Sequence, residues 1–167
     1  MVISGVGARE RGGQRVSGEK RVMERNVQQC ASATGLEALC KYIGALLPEA
    51  LCSVLLRDVS GRRLLHAAAP SLPPEYSKTI DGTTIGPLIG SCGSAAFTNQ
   101  NVITADIATD PHWAKYQYLP ITYGSRVSWS MPIRSSTGTI LGTFPVYYPT
   151  IHERDSAVAN LGDRPQQ

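Results

Sequence analysis

Residues 85–96 read IGPLIGSCGSAA, and this stretch decides the fold that we predict. Its first half is rich in Gly and Pro, which is typical of an irregular loop. Ser91 is placed to cap a short helix over residues 92–98, because a serine at the N-cap accepts a hydrogen bond from an unpaired backbone N–H. A strand over 102–105 follows. The stretch therefore belongs to an irregular segment, and it carries no glycine fingerprint of a nucleotide-binding loop.

Predicted hairpins flank this segment on both sides. On the N-terminal side, the strands 51–57 and 63–69 are separated by the turn sequence DVSG. On the C-terminal side, the strands 126–133 and 139–148 enclose the turn sequence SSTG. Hairpins favour an antiparallel sheet, and repeated strand–helix–strand units are absent from the pattern. The predicted fold class is α+β.

Helices are predicted from apolar residues at helical spacing. A first helix covers about 17–31 and a second covers 34–47, which Pro48 ends. Farther along, Asp110 is placed as an N-cap with Pro111 at the first helical position, which predicts a short helix over 111–117. Two helices are thus expected before the sheet.

Length and charge restrict the possible functions. The chain has 167 residues and 42% apolar residues, which suits one globular domain with a core. Residues 1–25 contain six basic and three acidic residues, a net +3, whereas residues 26–167 contain ten of each. Nucleic-acid binding requires clustered cations, so no nucleic-acid partner is expected. The uncharged stretch 82–105 contains a proline and several glycines and polar residues, so no membrane-spanning segment is expected either.

The ends of the chain differ from its middle in composition. Residues 1–17 are basic and glycine-rich and are expected to be disordered, 18–149 to form a single domain, and 150–167 to be a polar tail. The N-terminus has no apolar signal region. The four cysteines are therefore expected to be reduced thiols in a cytoplasmic protein: Cys30, Cys40, Cys52 and Cys92.

The run from about Leu36 to Tyr148 resembles a GAF domain, the small-molecule sensing module of bacterial signalling proteins. The resemblance covers about two thirds of the chain. It is carried by several motifs in the expected order: Leu56 to Asp58 with Gly61, Ile85 to Ala96, Asp106 to Trp113, Trp129 to Ile133, and Gly138 to Tyr148. The modules attached to diguanylate cyclases, phosphodiesterases and histidine kinases are the branch that these motifs resemble best.

This resemblance implies both an architecture and a function. The fold would be a GAF/PAS-like central antiparallel sheet of about five to six strands. N-terminal helices would lie on one face, and an irregular cover over 85–123 would roof a pocket on the other. The function would be that of a non-enzymatic sensory or regulatory domain that binds an unidentified small molecule in signal transduction.

Two features depart from the family pattern. Such a domain normally continues into a long C-terminal amphipathic helix, whereas 150–167 has few large apolar residues and contains Gly162 and Pro165. The alternative function is therefore a truncated or vestigial signalling module that acts only through dimerisation. Pro145 is the second departure, because a proline in a strand belongs on a sheet edge or at a bulge.

Cys92 is a candidate reactive residue. At a helix N-terminus its thiol would be shifted toward the reactive thiolate, whereas the alternative is a small buried packing residue. A Gly-x-Cys-Gly arrangement also occurs in the free methionine-R-sulfoxide reductases, which are GAF-fold enzymes. That reaction needs a second cysteine across the pocket, and none lies between Asn101 and Ile133. Enzymatic activity is therefore not expected.

Aromatic residues are concentrated next to the predicted pocket: Trp113, Tyr116, Tyr118, Tyr123 and Trp129. Such rings commonly line ligand sites, but they also form hydrophobic cores, and both alternatives stay open here. Asp106 and Asp110 could accept ligand hydrogen bonds, although Asp110 is already explained as a helix cap. The candidate ligand-binding residues are Cys92, Asp106, Trp113, Tyr116 and Trp129.

No cofactor or metal is expected, because the three histidines, His66, His112 and His152, lack the spacing of a metal site. A homodimer through the N-terminal helices is expected instead. Without a C-terminal helix beside them, their apolar stripe would be exposed and would associate with a second copy. This stripe consists of Val22, Met23, Val27 and Cys30 with parts of Leu36 and Leu39.

Overall fold

An antiparallel sheet forms the centre of the structure, a computed structural model that describes residues 33–150. The strands are β1 (Leu51–Cys52), β2 (Val54–Arg57), β3 (Arg63–Ala68), β4 (Thr83–Thr84), β5 (Val102–Thr104), β6 (Val127–Arg134) and β7 (Ile140–Tyr148). The helices are α1 (Ala33–Leu46), α2 (Pro74–Ile80), α3 (Gly90–Thr98) and α4 (Tyr118–Thr122), with a 3₁₀ helix at Pro111–Trp113. The predicted first helix over 17–31 lies outside the described residues.

The strand order confirms the predicted α+β class. The strands follow the order β4-β3-β2-β7-β6-β5, and β1 also pairs with β7. All of these pairs are antiparallel. Residues 33–150 form seven strands instead of five to six, because the predicted strand 51–57 is divided at Ser53 and Thr83–Thr84 adds a short edge strand. Strand β7, the last strand within residues 33–150, therefore lies in the middle of the sheet.

Helix α1 covers one face of the sheet. Leu36 and Cys40, four residues apart on the helix, are buried against apolar side chains of β1, β2 and β7. These side chains are Cys52, Val54, Phe144 and Val146. We call this side of the sheet the α1 face. The prediction that N-terminal helical structure packs against one face is confirmed for the described helix.

The short helices and the loops between them cover the opposite face, which we call the cover face. Tyr147 on β7 packs there with Tyr76 of α2 and Trp113 of the 3₁₀ helix. Leu55 and Cys92 belong to a second cluster on the same face. The sheet therefore separates two cores, and the irregular cover lies where the sequence predicts it.

Two helix boundaries differ from the prediction. Helix α3 begins at Gly90 and its N-cap residue, Ile89, makes no side-chain capping bond, so Ser91 is not the cap. The Ser91 hydroxyl instead lies 2.8 Å from the Ser130 hydroxyl of β6. The predicted helix 111–117 is a 3₁₀ turn that is followed by a separate α4. Its cap is confirmed, because Asp110 Oδ1 accepts a hydrogen bond from the His112 backbone N–H at 2.8 Å.

Pro145 lies in an interior strand, so its predicted place on a sheet edge is wrong. It pairs with Ser130 of β6 on one side. On the other side its carbonyl accepts a hydrogen bond from the Ser53 N–H at 3.1 Å, at the interruption between β1 and β2. The missing proline N–H therefore faces an irregular point of the ladder, which agrees with the alternative of a bulge.

Within residues 33–150, no helix is both long and apolar enough to span a bilayer. The predicted boundaries at 17 and 149 stay predictions, since 1–32 and 151–167 are not described.

Candidate ligand-binding site

A cavity of about 100 Å³ lies between the cover face of the sheet and the short helices. Its wall combines residues of β2, α2, β4, α3, the 3₁₀ helix, α4 and β7. They are Leu55, Thr79, Ile80, Thr83, Ile89, Gly90, Cys92, Trp113, Tyr116, Tyr118, Leu119 and Tyr147. The cavity thus lies at the interface between the sheet and every helix of the cover that the structure describes.

Trp113 fixes the cover to the sheet. Its indole N–H is 3.2 Å from the Thr104 hydroxyl of β5 and 3.2 Å from the Ser128 hydroxyl of β6, and both hydroxyls are fully buried. Its ring meets Tyr147 edge to face, with 6.3 Å between centroids. The Trp113 side chain therefore contacts both the cavity and the sheet.

Gly90 allows α3 to pass beneath this ring. Its φ is +56°, in the left-handed region that favours glycine, and a Cβ there would lie 3.3 Å from the Trp113 ring. The close approach of helix and indole therefore depends on the missing side chain.

The Cys92 thiol is buried among hydroxyl groups at the N-terminal end of α3. Its Sγ lies 3.4 Å from the Ser130 hydroxyl and 3.8 Å from the Tyr147 hydroxyl. Burial raises the pKa of this thiol, and the hydrogen bonds from Ser130 and Tyr147 only partly oppose the shift. Of the two alternatives for Cys92, the structure therefore favours the buried packing residue over the activated thiolate, because desolvation stabilises the neutral thiol.

Tyr147 and Tyr76 extend this polar cluster. Their rings meet edge to face at 5.7 Å, and burial raises the pKa of both phenols, so both stay neutral. Among residues 33–150, the buried hydroxyls of Tyr76 and Thr143 make no hydrogen bond of good geometry, although Tyr76 faces Tyr147 and Thr143 faces Cys92. The site thus holds hydrogen-bonding capacity that the protein itself leaves partly unused.

The structure brings together three of the five candidate ligand-binding residues. Cys92, Trp113 and Tyr116 line the cavity. Trp129 does not, because it pairs with Val146 on the α1 face of the sheet. Its side chain is buried there, 6% exposed, and its indole N–H has no hydrogen-bond partner among residues 33–150.

Asp106 lies outside the cavity wall and has local partners. Its carboxylate accepts hydrogen bonds from the Arg126 guanidinium, with the shortest distances at 3.1 Å, and from the Ala108 backbone N–H at 3.1 Å. Its carbonyl accepts bonds from the N–H groups of Thr109 and Asp110. The residue shapes the loop that leads to the 3₁₀ helix. Ligand binding by Asp106 stays a prediction that this geometry does not favour.

Sequence reasoning missed several wall residues, above all Tyr147, Ile80 and Leu119. Period-2 alternation in β7 contained a signal for Tyr147, since it shares a face with Thr143. That signal was hidden because the opposite face, with Phe144 and Val146, is also buried.

No metal cluster adds to this site within the described part of the chain. No group of three His, Cys, Asp or Glu residues there could hold a metal ion. A wider surface cleft of about 450 Å³ lies beside α2 and contains none of the five candidate residues; it is lined by His66, Ala69, Pro70, Leu72, Pro74, Ser77, Lys78 and Asp81.

The family model for the GAF domain matches residues 31–161. This chain belongs to the GAF domain family. The match includes the whole described sheet and its cover, so the cavity on the cover face belongs to the GAF domain itself.

A curated relative and solved structures agree with this membership. Over 129 residues the GAF domain is 35% identical to the methyl sulfide methyltransferase-associated sensor of Methanosarcina acetivorans. The aligned residues make up 77% of this chain but only 13% of that protein. The GAF domain of an Acinetobacter phosphoenolpyruvate-protein phosphotransferase is 16% identical, with a TM-score of 0.58 over 81% of this chain and 80% of that one.

A free methionine-R-sulfoxide reductase from Neisseria meningitidis, in complex with its substrate, has the same fold. It is 17% identical, with a TM-score of 0.60 over 77% of this chain and 69% of that one. At these identities the solved structures establish the fold alone. Sensors and enzymes share it.

Proposed function

We propose that this GAF domain is a non-enzymatic sensory domain that binds a small molecule in the cavity between the cover and the sheet. The observation that carries the proposal is the position of Trp113, which lines the cavity and donates its indole N–H to two strands. A ligand that contacts this ring would bias the packing of the cover on the sheet. The sensor name of the Methanosarcina relative supports this proposal.

Strand β7 offers a route from the cavity to the helix on the other side. Tyr147 lines the cavity, whereas its neighbours Phe144 and Val146 pack beneath α1. A ligand would act by favouring one arrangement of this strand and helix over another. The size of that shift cannot exceed the difference in ligand affinity between the two states.

A thermal-shift screen of metabolites against the intact chain tests the proposal. A ligand at ten times its dissociation constant stabilises the folded state by about 1.4 kcal/mol, so at least one compound is expected to raise the Tm. Ile80→Phe fills the cavity and should remove that shift. Ile103→Phe, at a 59% exposed position on the other sheet face, is the matched control and should keep it.

Leu119→Phe serves as a second cavity-filling variant if Ile80→Phe does not fold. A screen without any stabilising compound would contradict the sensory function. It would then favour the alternative of a module that acts through dimerisation. The predicted stripe around Val22 and Val27 lies outside the described residues, so the homodimer stays a prediction, as does the cytoplasmic location.

The position of Cys92 in the cavity is a specific reason to consider the reductase alternative. Reduction of a sulfoxide by thiols consumes two thiols, which end as a disulfide. Cys40 and Cys52 lie in the core under α1, on the opposite face from Cys92, and burial raises their pKa values to about 12 and about 11. Cys30 lies outside the described residues. The described thiols therefore do not support this chemistry.

Incubation with methionine-R-sulfoxide and a dithiol reductant tests the alternative directly. We expect no reduction above the rate without protein. Turnover that is lost in Cys92→Ser and kept in Cys40→Ser would establish the enzyme and overturn the non-enzymatic proposal.

A further inference from the structure

The charge of the cavity wall restricts the ligand. Among residues 33–150, those that line the cavity are aliphatic, aromatic, threonine, glycine or cysteine, and none is Asp, Glu, Lys, Arg or His. Burial keeps Cys92 and Tyr147 in their neutral forms near neutral pH. An ion transferred from water into this wall would lose hydration without gaining a counter-charge. The side chains of the wall therefore offer no counter-charge to an anion or a cation.

The size of the cavity restricts the ligand further. An apolar cavity of about 150 Å³ accommodates benzene. This cavity encloses about 100 Å³ and its wall includes the exposed Tyr116 and Tyr118, so the part of a ligand that it encloses is smaller than benzene. Nucleotides and tetrapyrroles exceed that volume many times over.

Polar atoms in the wall define one more requirement. Cys92 and Tyr147 both line the cavity, and the Cys92 Sγ lies 3.8 Å from the Tyr147 hydroxyl oxygen, a long hydrogen bond to sulfur. A thiol and a phenol can each donate and accept. Beside them the hydroxyls of Thr143 and Tyr76 have no partner of good geometry in the described part of the chain. One polar atom of a ligand would find partners at this end of the cavity.

We propose that the ligand is an uncharged molecule of about three to five non-hydrogen atoms, mostly apolar with one polar atom, held between Trp113 and the Cys92–Tyr147 pair. This inference rests on the proposed sensory function and specifies its ligand class. Short alcohols, amides, ketones and thioethers belong to the class. Carboxylates, amines and phosphate esters do not.

Pairs of probes with equal size and different charge test the inference. Propan-2-ol and the isopropylammonium ion differ only at one hydroxyl or ammonium group, and acetamide and acetate form a second pair. Indole is a larger neutral probe. For four non-hydrogen atoms, ligand-efficiency limits place the dissociation constant on the order of tens of micromolar at best. Titrations therefore extend into the millimolar range.

The readout is the indole N–H signal of each tryptophan in the NMR spectrum of the ¹⁵N-labelled chain. The chain has two tryptophans, and Trp129 on the α1 face is an internal control for Trp113 at the cavity. We expect saturable shifts of the Trp113 signal with propan-2-ol or acetamide. The charged partner of each pair should bind at least tenfold more weakly, and Trp129 should not move. Ile80→Phe should abolish the effect and Ile103→Phe should preserve it.

Each contrary result overturns the inference in a recognisable way. Equal or tighter binding of the charged partners would show that the wall does not select for neutrality. Binding of indole alone would show that the cavity opens to a larger ligand. In both cases the sensory function stands with another ligand class. If no probe moves Trp113, the ligand class is wrong, and the metabolite screen decides separately whether any ligand exists.

Discussion

Replacement of Trp129 by alanine is expected to lower the free energy of unfolding by about 3–5 kcal/mol, the usual cost of removing a large buried aromatic side chain. The ring is 6% exposed on the α1 face of the sheet. Urea denaturation followed by circular dichroism measures the loss. Because small domains are stable by only about 5–15 kcal/mol, the variant should be close to unfolding at elevated temperature.

Ile103 provides the matched control for this prediction. It pairs with Trp129 across β5 and β6 on the same face but is 59% exposed. Ile103→Ala should therefore cost well under about 1 kcal/mol, as surface substitutions typically do. A loss for Trp129→Ala no larger than that of its neighbour would show that the ring contributes no core packing.

Gly142→Ala is the second substitution with a large expected effect. A Cβ at this position would overlap the Leu55 carbonyl oxygen of β2 and lie 3.0 Å from Leu56 Cα. Both are backbone atoms, so the strands themselves would have to separate. We expect a loss of about 3 kcal/mol, at the upper end of overpacking costs. Urea denaturation and the loss of amide protection in β2 and β7 are the measurements.

Gly44→Ala is the control for the replacement of glycine by alanine itself. Gly44 lies inside α1, and a Cβ there would have no neighbour within 4 Å. Alanine should stabilise this helix by up to about 1 kcal/mol. If both glycine variants were equally stable, the close approach of β7 to β2 would not be as tight as the structure has it.

The sequence predicted the features that depend on residues adjacent in the chain. The hairpin turns and the Asp110 cap are local, and each was found where the residue types place it. The family motifs correctly predicted the sheet and the position of the cover. The tertiary environment of each side chain could not be predicted from such local patterns. Cys92 shows the limit, since the local helix end favours thiolate whereas burial, only partly opposed by the hydrogen bonds with Ser130 and Tyr147, raises the pKa of the thiol.

The set of residues that line the site was only partly predictable, because it depends on the register of the strands. Whether Trp129 faces the cavity or α1 depends on its pairing with Val146, and a slip of one residue would reverse the answer. Both faces of β6 and β7 contain buried residues, so polarity did not indicate the orientation. Aromatic composition alone could not distinguish Trp113, at the cavity, from Trp129, behind the sheet.

The central position of β7 also determines when this domain can fold during synthesis on the ribosome. The N-terminal hairpin, β2 with β3, must wait for β7, because Leu55 pairs with Thr143 far along the chain. Until then α1 lacks Phe144 and Val146 beneath it, and the cavity lacks Tyr147. Pairing between such distant segments slows folding and leaves strand edges exposed in the meantime. Within residues 33–150, both cores and the cavity are therefore completed together, when β7 is added to the sheet.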